Sequence, residues 1–546
     1  MTREILRIDK TGRIGYNGIW EKSIKSEGGD ALERLEKKKL LGTAAALACI
    51  IVLAKVLGLI RDTLVAGIYG TTDAAVAFDT AAQLPTLVFD LLVGSAITAA
   101  FIPVFNRILV QRGRAEADRF AASYINLAFL ISTALALLGF AAAGVLVRLI
   151  APSLDTETAA LASSLFRIML PVIPLASLAF LFVGILQSLG SFRVPAAISI
   201  VSAVVTIVYL LFFSSRFGIT GLAVVTAIGW LGQAAVQIPM LRRLGYRHAF
   251  CLSIRREELR ESLRTALPML VSAWTVPLAT LADTRFASAV EGGRAITALG
   301  YANKIYLLLG GILAFVTTNL IFPRLSRAAA GGDEETAREL LSSSGKLLLF
   351  FSAPVAAGVF VLAGPIVACL FEHGEFTADD TALTAAALSV LALGVVCTAL
   401  NELLTKALIA AGRPVFPMIA SVTSLLVNFA LAAVLTPRCG IAGIAAAIAA
   451  AAVLSLVLLL AAALRRRLLV PGKGDAADAL KAIGSAALAG GAVFLLRSAV
   501  TAGFPRWLDL VICLTAGAVL YFGLTALCRS GVYPLLRDAL GKEGDA

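Results

Sequence analysis

The chain has 546 residues, 59% of them hydrophobic and 15% charged, and a net charge of +12; its mean hydropathy is +0.90. A soluble domain averages about 45–50% apolar and about 25% charged residues, so a water-soluble core could not hide this much apolar surface. An all-α bundle of membrane-spanning helices is the class that fits. The excess of 47 Lys and Arg over 35 Asp and Glu is spread over short loops between apolar runs, which follows the positive-inside rule rather than a nucleic-acid-binding face.

Residues 1–40 are polar and read as a cytosolic tail, with no cleavable signal peptide visible. Apolar runs long enough to span a membrane then follow near 41–68, 74–105, 120–150, 159–189, 194–214, 219–241, 263–290, 296–322, 346–371, 380–411, 415–436, 440–464, 478–499 and 508–528. With the N-terminus cytoplasmic, 35 of the 47 Lys and Arg fall in inner segments and 6 in outer ones. That asymmetry puts both termini inside.

A repeat runs through these fourteen spans. The second ends "AFIPVFNR" and the eighth "LIFPRLSR", so that Pro103 and Arg107 recur as Pro323 and Arg327. Gly190 and Pro195 recur as Gly412 and Pro417, and "GITGLA" at Gly218 recurs as "GIAGIA" at Gly440, all at nearly one offset. Six spans separate equivalent points, so the copies share one orientation, as the parallel repeats of transporters do. The expected organisation is a tail (1–40), a six-helix lobe (41–241), a second (242–467) and a C-terminal helix pair with its tail (468–546). Two such lobes enclose a central cavity, and rocking them gives alternating access.

Charges at membrane depth are costly and face protein or water. They concentrate in spans 1, 2, 7, 8 and 10, so equivalent helices of the two lobes carry them, at the lobe interface. The run from Leu40 to Tyr69 exceeds the hydrocarbon core and must tilt, or bend near Gly58. Within it, Lys55 and Asp62 share a helix face while Arg61 points elsewhere. Arg61 and Lys55 either snorkel or pair with an acid, or form a positive cavity wall for an anion, with arginine suited to bidentate phosphate contact. Lys304 in "YANKIY" is a further anion contact. Asp283 in "LADTRFAS" binds a coupling cation, pairs with Lys304, or balances a cation elsewhere; Asp62, Asp79 and Asp90 are ion-binding or pairing candidates. Glu402 and Lys406, four apart, read as a structural ion pair.

Seven cysteines without a CxxC and two histidines give no metal or redox pattern. Walker A, HExxH and Ser–His–Asp patterns are absent, so the chain reads as a transporter rather than an enzyme, with an ion gradient or the membrane potential as driving force.

Four stretches, "AKVLGLIRDTLVAGIYGTTDAAVAF", "LPTLVFDLLVGSAITAAFIPVF", "ALGYANKIYLLLGGILAFVTTNLIFPRLSR" and "LFEHGEFTADD", resemble the signatures of the MurJ/MviN family, lipid II flippases of the MOP exporter superfamily. The resemblance covers roughly Leu40 to Arg465. It implies fourteen helices in two lobes plus a C-terminal pair, in a bacterial cytoplasmic membrane. It also implies that an undecaprenyl-diphosphate-linked disaccharide-pentapeptide moves from the inner to the outer leaflet for peptidoglycan synthesis. Arg61 matches the family's first-helix arginine, Asp73 its "TDAF" aspartate, and Lys304 the place of its "YADR" arginine; Lys55 stands where another arginine is usual. Phe89 and Asp90 replace an arginine pair, Gly94 a glutamate, and Leu307 an acid. Those departures leave room for another lipid-linked oligosaccharide as substrate, or for a drug exporter of the same superfamily. Na+ or H+ is the expected coupling cation, and membrane lipid the surrounding partner.

Overall fold

The computed structural model describes residues 29–94, 101–250, 256–316, 321–331, 333–470, 472, 474–501 and 504–535. Most of the polar tail expected over 1–40 lies outside them, as do parts of the second and eighth expected spans, at 95–100 and 317–320.

Among the described residues every regular element is helical. In the first half these are α1 (Gly29–Tyr69), α2 (Asp73–Phe89), α3 (Ile102–Gln111), α4 (Arg114–Ile150), α5 (Thr156–Met169), α6 (Val172–Ser188), α7 (Arg193–Phe212), α8 (Ser214–Ala235) and α9 (Ile238–Arg243). The second half holds α10 (Arg256–Ala287), α11 (Arg294–Val316), α12 (Phe322–Ala330), α13 (Glu334–Phe371), α14 (Ala378–Ala392), α15 (Val395–Ala410) and α16 (Val415–Arg465). Two more follow, α17 (Asp475–Leu496) and α18 (Arg506–Leu527).

Among the described residues seven helices are long and apolar enough to cross a membrane, or nine if two bent pairs each count as one span. The pairs are α5 with α6, bent by 43°, and α14 with α15, bent by 46°. Helix α16 has 51 residues, a length of about 76 Å against a hydrocarbon core of about 30 Å. It is divided at Gly440, whose φ of 56° and ψ of −135° are not helical, so it supplies the two successive runs expected at 415–436 and 440–464. Helix α1, by contrast, keeps helical conformation without a break through Gly58.

The repeat is written into the helix ends. Gly190 and Gly412 both have positive φ, 79° and 71°, and Gly218 matches Gly440 at 55° and 56°. Each left-handed turn needs a residue without a Cβ clash. The hydrogen bonds recur as well: Ser191 N donates to Leu186 O and Arg413 N to Leu408 O, both at 2.8 Å. Asp155 caps α5 by accepting from Glu157 N and Thr158 N. Thr377, at the equivalent position of the second copy, caps α14 in a reciprocal box with Asp380. Such caps satisfy amide donors that a helix start leaves free.

Packing follows the same plan. Helix α1 lies along α7 as α10 lies along α16, and α2 lies along α5 as α11 lies along α14. Each half is held mainly by its own helices, while α1, α2, α10 and α11 supply contacts between the halves. Helices α17 and α18 pack on each other and on α13, with the Tyr521 hydroxyl donating to Phe350 O at 2.7 Å. Phe166 and Leu165 are fully buried in a core of the first half; Tyr301, Phe371 and Phe376 pack at tilted and edge-on angles in one of the second.

Candidate functional site

A cavity of about 810 Å³ opens between the halves, walled by α2, α6, α10 and α11. Helix α2 contains Pro85 and passes into a π-helical turn, Asp90–Gly94. Proline removes a backbone donor from the helical ladder, and π turns re-aim side chains. Here the turn brings Phe89, Asp90 and Gly94 to the cavity wall beside Asp79 and Gln83. Where the family resemblance expects an arginine pair, the cavity therefore has an aromatic ring and a carboxylate.

Positive charge reaches the wall through Lys304 of α11, while Arg61 and Asp62 of α1 stand behind it, off the lining of both central cavities. Lys304 lines this cavity and holds its Nζ 4.6 Å above the Tyr301 ring, a favourable site for a cation. The same Nζ lies 3.5 Å from Asp62 Oδ1. Arg61 donates to that oxygen twice, from Nε at 3.1 Å and from Nη2 at 2.9 Å. One carboxylate oxygen thus gathers two cations from two helices. Arg61 keeps 34% of its side chain exposed and Lys304 38%, whereas Asp62 keeps 13%. The cations retain open surface for an anion, and the acid fixes their spacing. Of the two readings of Arg61, pairing with Asp62 occurs, but at a solvent-reached position rather than a sealed one.

The remaining expected residues are dispersed. Lys55 is exposed and Asp73 sits exposed in the first turn of α2; neither lines the central cavities. Asp283 does not reach Lys304. It accepts from Asn428 Nδ2 at 2.9 Å in an adjoining cavity of about 510 Å³, formed by α10, α11, α15 and α16. Its wall is largely apolar, with the amides and hydroxyls of Asn303, Thr398, Asn401, Ser421 and Ser424 and the charged side chains of Asp283 and Lys304 set into it. Leu307, at the position of a family acid, lines it too. Asn401 Oδ1 and Asn428 Oδ1 are buried without a hydrogen-bond donor among the described residues. Lys406 lies 3.6 Å from Glu402, the pair expected from their spacing.

A latch at the Tyr69 end of α1 does not stand out in the sequence. Asp380 is buried and accepts from the Thr71 hydroxyl and from Arg294 Nη2 at 2.5 Å. Its other oxygen takes Thr377 N at 2.8 Å. Arg294 Nε also donates to Thr71 Oγ1 at 3.0 Å. Beside it, Glu375 N donates to Gly67 O at 2.8 Å, and His373 Nε2 lies 3.1 Å from Thr63 O. The other half repeats this closure: Arg285, the repeat counterpart of Thr63, donates from Nη1 to Leu149 O at the end of α4 at 2.8 Å. The halves are therefore pinned together at this end. The signal lies in "TADD", a capping box, but a box does not announce that its acid also reaches a second helix.

Residues 65–512 match the family described as lipid II flippase MurJ. A probable lipid II flippase MurJ of Rhizobium meliloti (strain 1021) is 30% identical over 403 residues, 72% of this chain and 75% of that protein. The lipid II flippase MurJ of Burkholderia cenocepacia is 26% identical over 407 residues, 72% of this chain and 78% of its own. Among solved structures, a lipid II flippase MurJ in an inward closed conformation superposes with a TM-score of 0.74 at 23% identity, covering 88% of this chain and 98% of that one. An inward-facing multidrug transporter of the MATE family and MOP superfamily gives 0.64 at 18% identity, covering 78% and 98%. Both structural likenesses concern the fold.

Proposed function

The chain belongs to the lipid II flippase MurJ family, and from that premise we propose that it moves lipid II from the inner to the outer leaflet by alternating access. The observation that carries this is the Arg61–Asp62–Lys304 cluster, with Lys304 on the wall of the 810 Å³ cavity. Two cations sharing one carboxylate oxygen offer a diphosphate several donors at once. Charge-assisted hydrogen bonds of this kind are the strong ones. The neutral amides and hydroxyls of the adjoining, smaller cavity suit the uncharged glycan and amide parts of such a headgroup.

The remainder of the reading is topological. Fourteen spans, seven more than the strict count among the described residues, form two lobes over 41–241 and 242–467 with a helix pair in 468–546. Matched helix ends and matched packing support it. With both termini in the cytoplasm of a bacterial cell, the latched end at Thr71, Arg294 and Asp380 faces outward, and the cavity is closed on that side. Lys55 and Asp73 then act on the path to and from the cavity rather than in its wall.

Asp283 is the proposed seat of a coupling cation, Na+ or H+. Its carboxylate is almost fully buried with one donor, Asn428, and the spare Asn428 Oδ1 is a second oxygen for the ion.

The test is complementation. Cells depleted of their own lipid II flippase should regain growth with this chain and stop accumulating lipid II in the inner leaflet. Growth without clearance of inner-leaflet lipid II would defeat the reading. Failure of both, with clearance of another lipid-linked oligosaccharide, would give the site to that related substrate, as Phe89 and Asp90 in place of arginines would suit.

A further inference from the structure

Away from the central cavities, the ends of α13, α15 and α16 meet around a small pocket of about 240 Å³. Arg338, Arg413, Arg466 and Arg467 line it against a single acid, Glu334, with leucine and alanine side chains on its apolar side. It shares no residue with either central cavity.

Arg338 is committed: Nη2 donates to Glu334 Oε2 at 2.6 Å and Nε to Arg467 O at 2.7 Å. The others are not. Arg466 lies 5.2 Å over the Phe416 ring. Neither it nor Arg413 nor Arg467 forms an ion pair with any described residue.

The backbone adds an independent observation. Arg467 has φ of 54°, in the left-handed region, and its repeat counterpart is Gly245, with φ of 81°. The two close the same turn: Tyr246 N bonds Leu241 O and Leu468 N bonds Ala463 O, both at 3.0 Å. One copy thus uses glycine where the backbone calls for it. The other places an arginine there, in a conformation costly for an L side chain, and aims it at a basic pocket. Strain of this kind persists where function gains from it.

We propose that this pocket binds the phosphate headgroup of an anionic membrane lipid. Guanidinium groups match phosphate oxygens in geometry and charge. On the topology proposed above, the pocket lies at the cytoplasmic ends of α15 and α16 and the start of α13, and basic pockets between spanning helices on that side take anionic headgroups. Its apolar side accepts the first acyl carbons.

The test uses the purified full chain in detergent, titrated with short-chain phosphatidylglycerol, short-chain phosphatidylcholine and inorganic phosphate. Phosphatidylglycerol saturates one site, and the other two bind at least tenfold more weakly. Arg413→Ala and Arg466→Ala each weaken it by about fivefold. Arg467→Gly weakens it similarly while raising the melting temperature, a combination that a purely structural arginine does not give. Phosphatidylglycerol affinity unchanged in all three variants overturns the proposal. Inorganic phosphate binding as tightly as the lipid overturns the lipid assignment in favour of a free anion.

Discussion

Lys304 of α11 meets Asp62 of α1 at 3.5 Å, and the repeat makes the same crossing a second time without charge. Thr284 occupies the position equivalent to Asp62, and Gln83 falls next to the equivalent of Lys304. Thr284 Oγ1 donates to Gln83 Oε1 at 2.5 Å. One crossing between the halves is ionic and the other is neutral, so duplication of the fold has not duplicated the site. The ionic crossing brings Lys304 to a cavity wall that also carries Asp79 and Asp90, so the cavity is electrostatically asymmetric about its own pseudo-symmetry.

Removing either cation should therefore cost function more than structure. A hydrogen bond to a charged group contributes about 1.5–3 kcal/mol, so Arg61→Ala and Lys304→Ala should each lower affinity for a polyprenyl diphosphate by roughly ten- to a hundredfold. Membrane insertion should remain, because neither side chain is a packing element. Lys304→Arg should keep most activity. Binding to the purified protein, with complementation alongside, checks this; undiminished complementation by Arg61→Ala would remove Arg61 from the site.

The latch predicts a conformational effect. Asp380→Asn keeps the shape but removes the charge that holds Arg294 and weakens the α14 cap. Losing one partner of a buried ion pair costs about 3–5 kcal/mol where burial is complete, and less here because Arg294 is 37% exposed. Spin labels at the exposed positions Thr72 and Asp379 should report a wider distance distribution in Asp380→Asn than in the parent. An unchanged distribution would show that the latch does not hold the two halves.

Such contacts mark where a sequence stops informing. Gly190, Gly412, Gly218 and Gly440 could be matched because a left-handed turn constrains one residue locally, and the constraint is legible in that residue's type. The all-helical, apolar character of the chain was legible for the same reason, since every helical turn in lipid must itself be apolar. The partner of Asp62 is different: it depends on the rotation of α1 and α11 about their axes, which many packings of equal hydrophobicity would satisfy. Lys55 shares a helical face with Asp62 by spacing, yet it is exposed and lines neither central cavity. Asp283 was recognisable as a buried acid, while Asn428 as its donor was not.

The paired glycines give a stability test of the repeat. Adding a Cβ at Gly218 meets no neighbour within 4 Å, and at Gly440 only Val290 at an ordinary 3.8 Å. Any loss in Gly218→Ala or Gly440→Ala is therefore backbone strain, about 1–3 kcal/mol at such angles. The two variants should lower the melting temperature in detergent by similar amounts. A large difference between them would mean that the two turns, though alike in φ, are not energetically equivalent.

Asp283 predicts cation dependence. If its carboxylate holds the coupling ion, Asp283→Asn should abolish the response of flipping to the ion gradient and leave headgroup binding by Arg61 and Lys304 within about threefold. Flipping in proteoliposomes with imposed Na+ or H+ gradients separates the two ions. Gradient-dependent flipping by Asp283→Asn would move the coupling site elsewhere.

The C-terminal pair is fastened, ahead of the apolar run at 478–499, by a contact whose pH dependence has a definite sign. Lys346 Nζ lies 2.7 Å from Asp475 Oδ1, and this bond, helped by the Gly472 amide, holds the Asp475 carboxyl below its ordinary value against a smaller opposing effect of burial. Because the folded value is depressed, the contact contributes its full stability at pH above the unfolded value of about 3.9. That contribution fades as pH falls through the depressed folded value. Acidification from pH 5 towards pH 3 should therefore loosen the first turn of α17 from α13, seen as faster amide exchange near Asp475. Lys346→Met should show fast exchange already at pH 5 and little further change on acidification. A parent protein whose exchange at α17 is flat over that range would mean that packing of α17 on α13, rather than this ion pair, fixes the pair in place.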